Sequence, residues 1–322
     1  MDDAAIVQLF APLYDDLRRD DAFDVKKPLL AHYTTVQVLE KILTTNELWF
    51  SNPLFMNDLE EVRFGILQGN EQAMQSQDIA QACQTRERAQ LFRQWFVHYF
   101  GEFDMHHLLN TYVFCMSEHD VSDNDGLLSM WRGYGANGNG VAIVFDTAQI
   151  NALESSPLII AKVAYATTEV RMEWLKNVVV KFAAVLSRSN IPDERLGLAA
   201  FSLFERIKLF ALFSKHHGFK EEREWRVVYM PNRDVGQKLA PMFNYAIGDR
   251  GIEPKLRFKV LPMDGVTASD LSLTKIIERI ILGPTISSPL AIRTVHRMFD
   301  LLNHAGLNPK LRASTIPFRA IG

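Results

Sequence analysis

The stretch from residue 29 to residue 51 reads LLAHYTTVQVLEKILTTNELWFS, and it decides the fold around it. Residues 29–34 are a short apolar run with aromatic and β-branched members, which predicts a buried strand. Between residues 35 and 45 the apolar side chains recur at helical spacing. Residues 47–51 predict a second strand. The chain therefore contains a strand, a helix and a strand in close succession.

The same two patterns extend outward over the rest of the chain. Further strands are predicted at 112–116, 140–145, 158–165, 225–230, 256–261, 276–282 and 310–313. Helices are predicted at 2–19, from about 57, and at 86–100, 169–186, 193–213 and 289–303. Strands and helices do not alternate regularly, as they would in a doubly wound sheet. We therefore predict one α+β domain over residues 1–322, with an N-terminal helix (1–20) and helical insertions at about 57–108 and 167–213.

The composition excludes several classes of protein. Hydrophobic residues make up 48% of the chain and charged residues 23%, which is typical of a packed globular protein. The formal net charge of -3 does not give the basic field of most nucleic-acid binders. The acidic N-terminus and the lack of a long apolar run predict neither a signal peptide nor a membrane span. Cys83 and Cys115 share no disulfide or metal spacing, so we expect a reducing, cytoplasmic setting.

Three motifs suggest a cofactor or a metal but fail on order or spacing. GANGNG (135–140) resembles a dinucleotide fingerprint, but it precedes a predicted strand instead of following one, and we interpret it as a flexible turn. DVSDNDG (120–126) has Val121 where a calcium loop needs an acid, and Arg132 where it needs a glutamate. The adjacent histidine pairs at 106–107 and 216–217 point in different directions. We therefore predict no metal site.

Two early clusters carry polar side chains beside predicted strands. Alternation places His32 and Thr34 on one face of the first strand and Tyr33 on the other. Taken alone, His32 is best explained as a core histidine bonded to the backbone. The segment from Ser51 to Glu61 is largely explained by helix capping and loop chemistry. Neither cluster identifies a site by itself.

Two later clusters favour a functional interpretation more strongly. SMWRGYG (129–135) combines aromatic surfaces with a cation, which suits a planar, negatively charged ligand, although the aromatic side chains explain a lid over the core equally well. EREWR (222–226) places Glu222, Glu224 and Arg226 on one face of a strand. Two carboxylates on one face repel each other unless a ligand or cations meet them, and Arg226 is one such cation.

In this order, the clusters resemble a widespread bacterial family of unknown function, the DUF family numbered twenty-nine seventy-one. The resemblance extends over nearly all of the chain from residue 32 onward. It rests on HYT (32–34), LWFSN (48–52), ND-x-x-E (57–61), FCMS (114–117), MWRGY (130–134), E-x-EWR (222–226), IILGP (280–284) and STIPFR (314–319). The family itself implies no reaction.

A more remote resemblance does imply one. The strand, helix and strand that open with HYT look like the first elements of ADP-ribosyltransferases, including DNA-modifying toxins and RNA phosphotransferases. This resemblance implies a central mixed or antiparallel sheet with a His–Tyr–Glu site. By position these residues are His32, Tyr134 and Glu224. Trp131 or Ser51 are alternatives for the aromatic position, and Glu222 is an alternative for the glutamate.

The resemblance implies that the protein cleaves the nicotinamide–ribose bond of NAD and transfers ADP-ribose. Glu224 would stabilise the oxocarbenium-like transition state, and Glu222 would orient or deprotonate the acceptor. His32 would bind the ribose, and Tyr134 or Trp131 would stack on nicotinamide. Arg132 or Arg226 would pair with the pyrophosphate. The remaining candidates for binding NAD are Tyr33, Thr34, Ser51 and Asn57.

The acceptor and two other classes of function stay open at this point. The acceptor is RNA, DNA or protein. The roles of other members of the superfamily suggest a toxin or phage-defence effector, with an antitoxin or inhibitor protein as partner. One alternative is a non-catalytic nucleotide-binding or sensor module of a defence system. The other is a metal-dependent nuclease that uses Asp58, Glu61, Glu222 and Glu224.

Overall fold

A computed structural model describes residues 2–17, 23–56, 59–150, 153, 156–248 and 251–318. The strands are β1 (Leu29–Thr35), β2 (Glu47–Ser51), β3 (Tyr112–His119), β4 (Gly140–Asp146), β5 (Leu158–Lys162), β6 (Ala164–Ala166), β7 (Ser214–His216), β8 (Glu224–Tyr229), β9 (Phe243–Gly248), β10 (Gly251–Lys259), β11 (Ile277–Leu282) and β12 (Leu311–Ala313). The α-helices are α1 (Asp3–Leu9), α2 (Phe23–Lys26), α3 (Val36–Thr45), α4 (Leu59–Gln75), α5 (Gln77–Ala82), α6 (Arg86–Glu102), α7 (Leu128–Gly133), α8 (Thr168–Arg188), α9 (Leu196–Phe213), α10 (Leu273–Ile276) and α11 (Pro289–Leu301).

The chain divides into two compact units. Unit 1 contains the described parts of residues 1–22, 52–111 and 163–219, and unit 2 contains those of residues 23–51, 112–162 and 220–322. The helices predicted as insertions fall within unit 1. The single-domain organisation stays a prediction.

Unit 1 is mainly helical, with α1, α4, α5, α6, α8 and α9 and a parallel pair, β6–β7. Its core is rich in aromatic contacts, such as Phe92 with Phe182 at 5.4 Å between ring centroids. α1 is shorter than the predicted N-terminal helix, because a 3₁₀ segment, Ala11–Leu17, follows it. None of the helices in the described ranges is long and apolar enough to cross a membrane.

Unit 2 is built on a large mixed sheet. Among the described residues it has ten strands, eight of them in the order β12-β11-β4-β1-β3-β2-β10-β9, with β8 pairing to β3 and β5 pairing to β8. In this described part only β11–β12 is parallel. The predicted α+β class is therefore confirmed, with a mixed and mostly antiparallel sheet.

The two faces of this sheet carry different side chains. Face A carries Leu30, Phe114 and Trp225, which belong to a large buried apolar cluster. Face B carries Tyr33 and Ala142, which belong to a smaller cluster with α7. Strand register extends face B across the sheet, since Ala31 lies opposite Ser117 and Ser117 lies opposite Glu224.

The glycine-rich turn 135–140 packs closely against β1. Gly138 has φ +84°, in the left-handed region that glycine tolerates. A Cβ atom added to Gly140 would lie 2.2 Å from the carbonyl oxygen of Thr34. The glycines in this turn are thus explained by backbone geometry without a nucleotide.

A charged cluster on face A makes the stability of the fold depend on pH. Glu118 accepts hydrogen bonds from Lys26 Nζ (2.6 Å) and Trp225 Nε1 (3.1 Å), and Lys162 Nζ lies 3.0 Å away. Burial by itself would raise the pKa of Glu118, but these contacts lower it to about 2. Because the folded pKa lies below the usual value of 4.5, this carboxylate stabilises the fold above pH 4.5 and ceases to do so as the pH falls toward 2.

We expect Glu118→Gln to lower the free energy of unfolding at pH 7 by about 1–2 kcal/mol, because Lys26 and Lys162 lose their counter-charge but are each about one third exposed, so that water screens part of the loss. Urea titrations between pH 7 and pH 2.5 measure this difference, which should shrink as the pH falls. Glu40→Gln, on the exposed side of α3, is the matched control and should change little. A difference that stays constant with pH would contradict the electrostatic origin.

Candidate functional site

The two later clusters of the sequence meet on face B of unit 2. Tyr134 follows α7, and its backbone N–H donates to Met130 O at 2.9 Å. The side chain of Tyr134 is 43% exposed, and its hydroxyl donates to Glu222 Oε1 at 2.9 Å. Glu222 lies just before β8, and its backbone carbonyl accepts a hydrogen bond from Ser117 Oγ at 2.7 Å. An accessible phenol and a half-buried carboxylate therefore form a pair at this surface.

Glu224 lies in a more buried setting than Glu222. Its carboxylate accepts two hydrogen bonds from Arg226, at 2.8 Å from Nε and 3.1 Å from Nη2. Glu224 is 5% exposed and Arg226 is 1% exposed. This pair explains how the strand accommodates carboxylates on one face, and Arg226 is engaged by Glu224 inside the protein. Of the two glutamates that the sequence left open, Glu222 is the more accessible.

The structure does not bring His32 to the same face as Glu224. The His32 ring stacks on Phe114 with 4.4 Å between centroids, which places it on face A. Its Nδ1 lies 3.0 Å from the carbonyl oxygen of Cys115 and donates to it, because a carbonyl oxygen only accepts. Burial lowers the pKa of His32, so the imidazole is held neutral. The predicted His–Tyr–Glu cleft therefore needs correction, because successive side chains on β1 point to opposite faces.

Tyr33 and Trp131 build the support for α7. Trp131 is fully buried, and its indole N–H donates to Asp125 O at 2.8 Å. The Tyr33 hydroxyl accepts from the backbone N–H of Leu127 at 2.9 Å, and burial raises the pKa of this phenol to about 12. The two rings meet edge to face with centroids 4.9 Å apart. The predicted stacking of Trp131 on nicotinamide is a second correction, because its ring faces are packed inside the protein.

The other predicted binding residues lie at different places. Arg132 is exposed beside Tyr134, and its guanidinium lies 5.3 Å from the ring centre of Phe318. Thr34 is buried on face A. Ser51 Oγ accepts from Lys255 Nζ at 2.9 Å, between β2 and β10. Asn57 lies outside the described residues.

The sequence did not single out Ser117 as a site residue. Its hydroxyl holds the backbone of Glu222, as described above. Alternation within β3 was the signal that would have identified it, because Phe114 and Met116 are apolar and Ser117 falls on the opposite face.

The residues of the nuclease alternative each have another partner where they are described. Glu61, in unit 1, bonds to Arg171 at 2.6 Å, and Asp58 lies outside the described residues. Within the described ranges, no three or more His, Cys, Asp or Glu side chains are grouped so that they could hold a metal ion.

One segment of the chain matches a known family model, and it contains Tyr134, Glu222 and Glu224. Residues 130–227 match the family model DUF2971, described as a protein of unknown function. The match begins in α7 and ends in β8, so it contains the Tyr134–Glu222 pair and excludes His32. No curated protein and no solved structure matches the chain. The comparisons thus give no evidence of similarity to ADP-ribosyltransferases.

Proposed function

We propose that unit 2 is an NAD-dependent ADP-ribosyltransferase whose reactive centre is the Tyr134–Glu222 pair. The observation that carries this proposal is the 2.9 Å hydrogen bond from the exposed Tyr134 hydroxyl to the Glu222 carboxylate. An accessible carboxylate is what a cationic, oxocarbenium-like transition state requires. The ADP-ribosyltransferase-like interpretation of the sheet belongs to this proposal.

The proposed reaction uses three side chains. The bond between ribose C1′ and the nicotinamide nitrogen breaks, and its electron pair leaves with nicotinamide. Glu222 stabilises the positive charge that develops on the ribose and takes the proton of the acceptor nucleophile as this bonds to C1′. Tyr134 orients the Glu222 carboxylate and offers a ring face to nicotinamide. Arg132, exposed beside Tyr134, pairs with the pyrophosphate.

The acceptor in this proposal is RNA, DNA or protein. By analogy with the superfamily, the proposed role is that of a toxin or phage-defence effector under an antitoxin or inhibitor protein. The proposed role as a toxin or defence effector rests on this analogy alone. The proposed ADP-ribose transfer rests on the Tyr134–Glu222 pair.

We expect Glu222→Gln to reduce ADP-ribose transfer and nicotinamide release by about 100-fold or more, because an amide cannot stabilise the charge or accept the proton. Purified protein is incubated with adenine-labelled NAD and a cell lysate, and label on nucleic acid and on protein is counted separately. Glu221→Gln is the matched control, because Glu221 is an exposed neighbour with the same chemistry. Tyr134→Phe, which removes only the oriented hydroxyl, should lose about tenfold.

Two results would contradict this proposal. The transferase function would be overturned by wild-type protein that neither labels an acceptor nor releases nicotinamide, once circular dichroism has shown that it is folded and mass spectrometry that it carries no co-purified partner. Full activity in Glu222→Gln would overturn the choice of the reactive centre.

A second candidate function is a nucleotide-binding module without turnover. The position of His32 on face A favours it, because the histidine that the resemblance assigns to ribose binding lies on the face opposite Glu224. Calorimetric binding of NAD that weakens in Arg132→Ala, together with no nicotinamide release, would identify this function.

A further inference from the structure

A cavity on face A of unit 2 is distinct from the Tyr134–Glu222 pair. It has a volume of about 100 Å³ and opens partly to the surface. On the sheet side, Phe50, Phe114, Phe145 and Phe258 line it, from four different strands. On the other side, described residues that follow β4 and β10 line it, Ile150 and Ala268 among them.

The hydroxyl groups of the described lining residues are already bonded within the protein. Thr147 Oγ1 donates to Pro28 O at 2.5 Å, and Ser156 Oγ donates to Val266 O at 3.0 Å. Thr267 Oγ1 donates to Leu261 O at 2.8 Å. A buried water needs two to four polar partners, and hydroxyls that already donate inward offer few. The lining therefore favours an apolar guest over water.

We propose that this cavity binds an uncharged aromatic ring or a short alkyl group of similar size. An apolar core cavity of about 150 Å³ is known to take up benzene. The cavity here is smaller, at about 100 Å³, but it also opens toward the surface, so a single ring can extend into the opening. The four phenylalanine rings provide edge and face contacts, and the thioether of Met116 adds a polarisable surface. A ligand with a polar end would leave that end at the opening, since the described lining residues are apolar side chains together with Thr147, Ser156 and Thr267.

The cavity also adjoins His32. Phe114 lines the cavity and stacks on the His32 ring. A guest that contacts Phe114 therefore changes the environment of this neutral histidine. The His32 imidazole resonances provide a second readout, independent of any enzymatic activity.

The test is a titration with fluorobenzene, followed by ¹⁹F NMR of the ligand and by ¹H–¹⁵N NMR of the histidine side chains. Wild-type protein should show saturable binding in the ¹⁹F spectra together with shifts of the His32 imidazole resonances. Ala268→Leu fills the cavity and should weaken binding at least tenfold. Ala148→Leu makes the same change at an exposed position outside the lining and should bind as the wild type does.

Three outcomes would overturn the proposal: no saturable binding to the wild type, equal binding to Ala268→Leu, or equal loss in Ala148→Leu. If Ala268→Leu does not fold, Val227→Ile adds a smaller group to the same lining and should weaken binding in the same direction. These results are independent of the proposed transferase, because fluorobenzene binding needs neither NAD nor Glu222.

Discussion

Replacement of Glu224 by glutamine is expected to lower the free energy of unfolding by about 3 kcal/mol, the cost of removing one partner from a buried ion pair. Arg226 is 1% exposed and pairs with both oxygens of Glu224. Glutamine accepts only one of these hydrogen bonds well, and it removes the negative charge that Glu224 places beside the buried guanidinium. Urea unfolding followed by tryptophan fluorescence measures the difference.

Two further variants test whether disruption of the Glu224–Arg226 ion pair causes the loss of stability. Glu224→Gln combined with Arg226→Met should recover part of the lost stability, because the buried guanidinium that the Glu224 carboxylate contacts is removed as well. Glu222→Gln should change the free energy of unfolding by less than about 1 kcal/mol, since its carboxylate is only half-buried and its partner Tyr134 is exposed. A Glu224→Gln protein as stable as the wild type would contradict this account. Activity measurements on Glu224 variants therefore need the folded fraction measured alongside.

Gly140→Ala is expected to cost about 3 kcal/mol or more. The added Cβ would lie 2.2 Å from Thr34 O and 2.8 Å from Gly135 O, and both atoms belong to the backbone. Relief of these contacts requires β1 and the turn to move apart, and overpacking of this kind is destabilising. Gly283 N–H also donates to Gly140 O at 2.8 Å, so the displacement would extend toward β11. Thermal unfolding by calorimetry provides the measurement.

Gly133→Ala is the matched control for this substitution. A Cβ at Gly133, within α7, would meet no atom within 4 Å, and alanine favours a helix more than glycine does. We expect this variant to be as stable as the wild type or slightly more stable. If Gly140→Ala unfolds at the same temperature as Gly133→Ala, the close packing of the turn against β1 does not contribute to the stability of the fold.

Elements with local sequence signals could be predicted from the sequence. β1, α3 and β2 lie within one residue of their predicted bounds, because apolar periodicity and the helix cap at Thr35 are local. β9 was missed, since it is an edge strand with mostly exposed side chains and no buried period. α7 was missed because it has only six residues, with Gly133 at its end and Gly135 just beyond it.

The site could be predicted only in part, and the reason is register. Alternation correctly separated His32 from Tyr33, and Glu224 from Trp225. Whether His32 or Tyr33 shares a face with Glu224 depends on how β1 pairs with β3 and β3 with β8. A shift by one residue in either pairing would reverse the answer, and the spacing along one chain does not report it. The pairing of Tyr134 with Glu222, 88 positions away in the chain, is likewise a consequence of tertiary structure.

The strand order of unit 2 has a consequence for synthesis of the chain. β4 lies between β1 and β11, so a strand near the beginning of the chain and a strand near its end flank the same neighbour. Pairings between such distant segments form slowly, and domains made during translation fold as their parts emerge. Until β11 has left the ribosome, the edge of β4 opposite β1 lacks the strand that covers it in the folded protein. β4 therefore reaches its full pairing only after residues 277–282 have been synthesised, long after β4 itself.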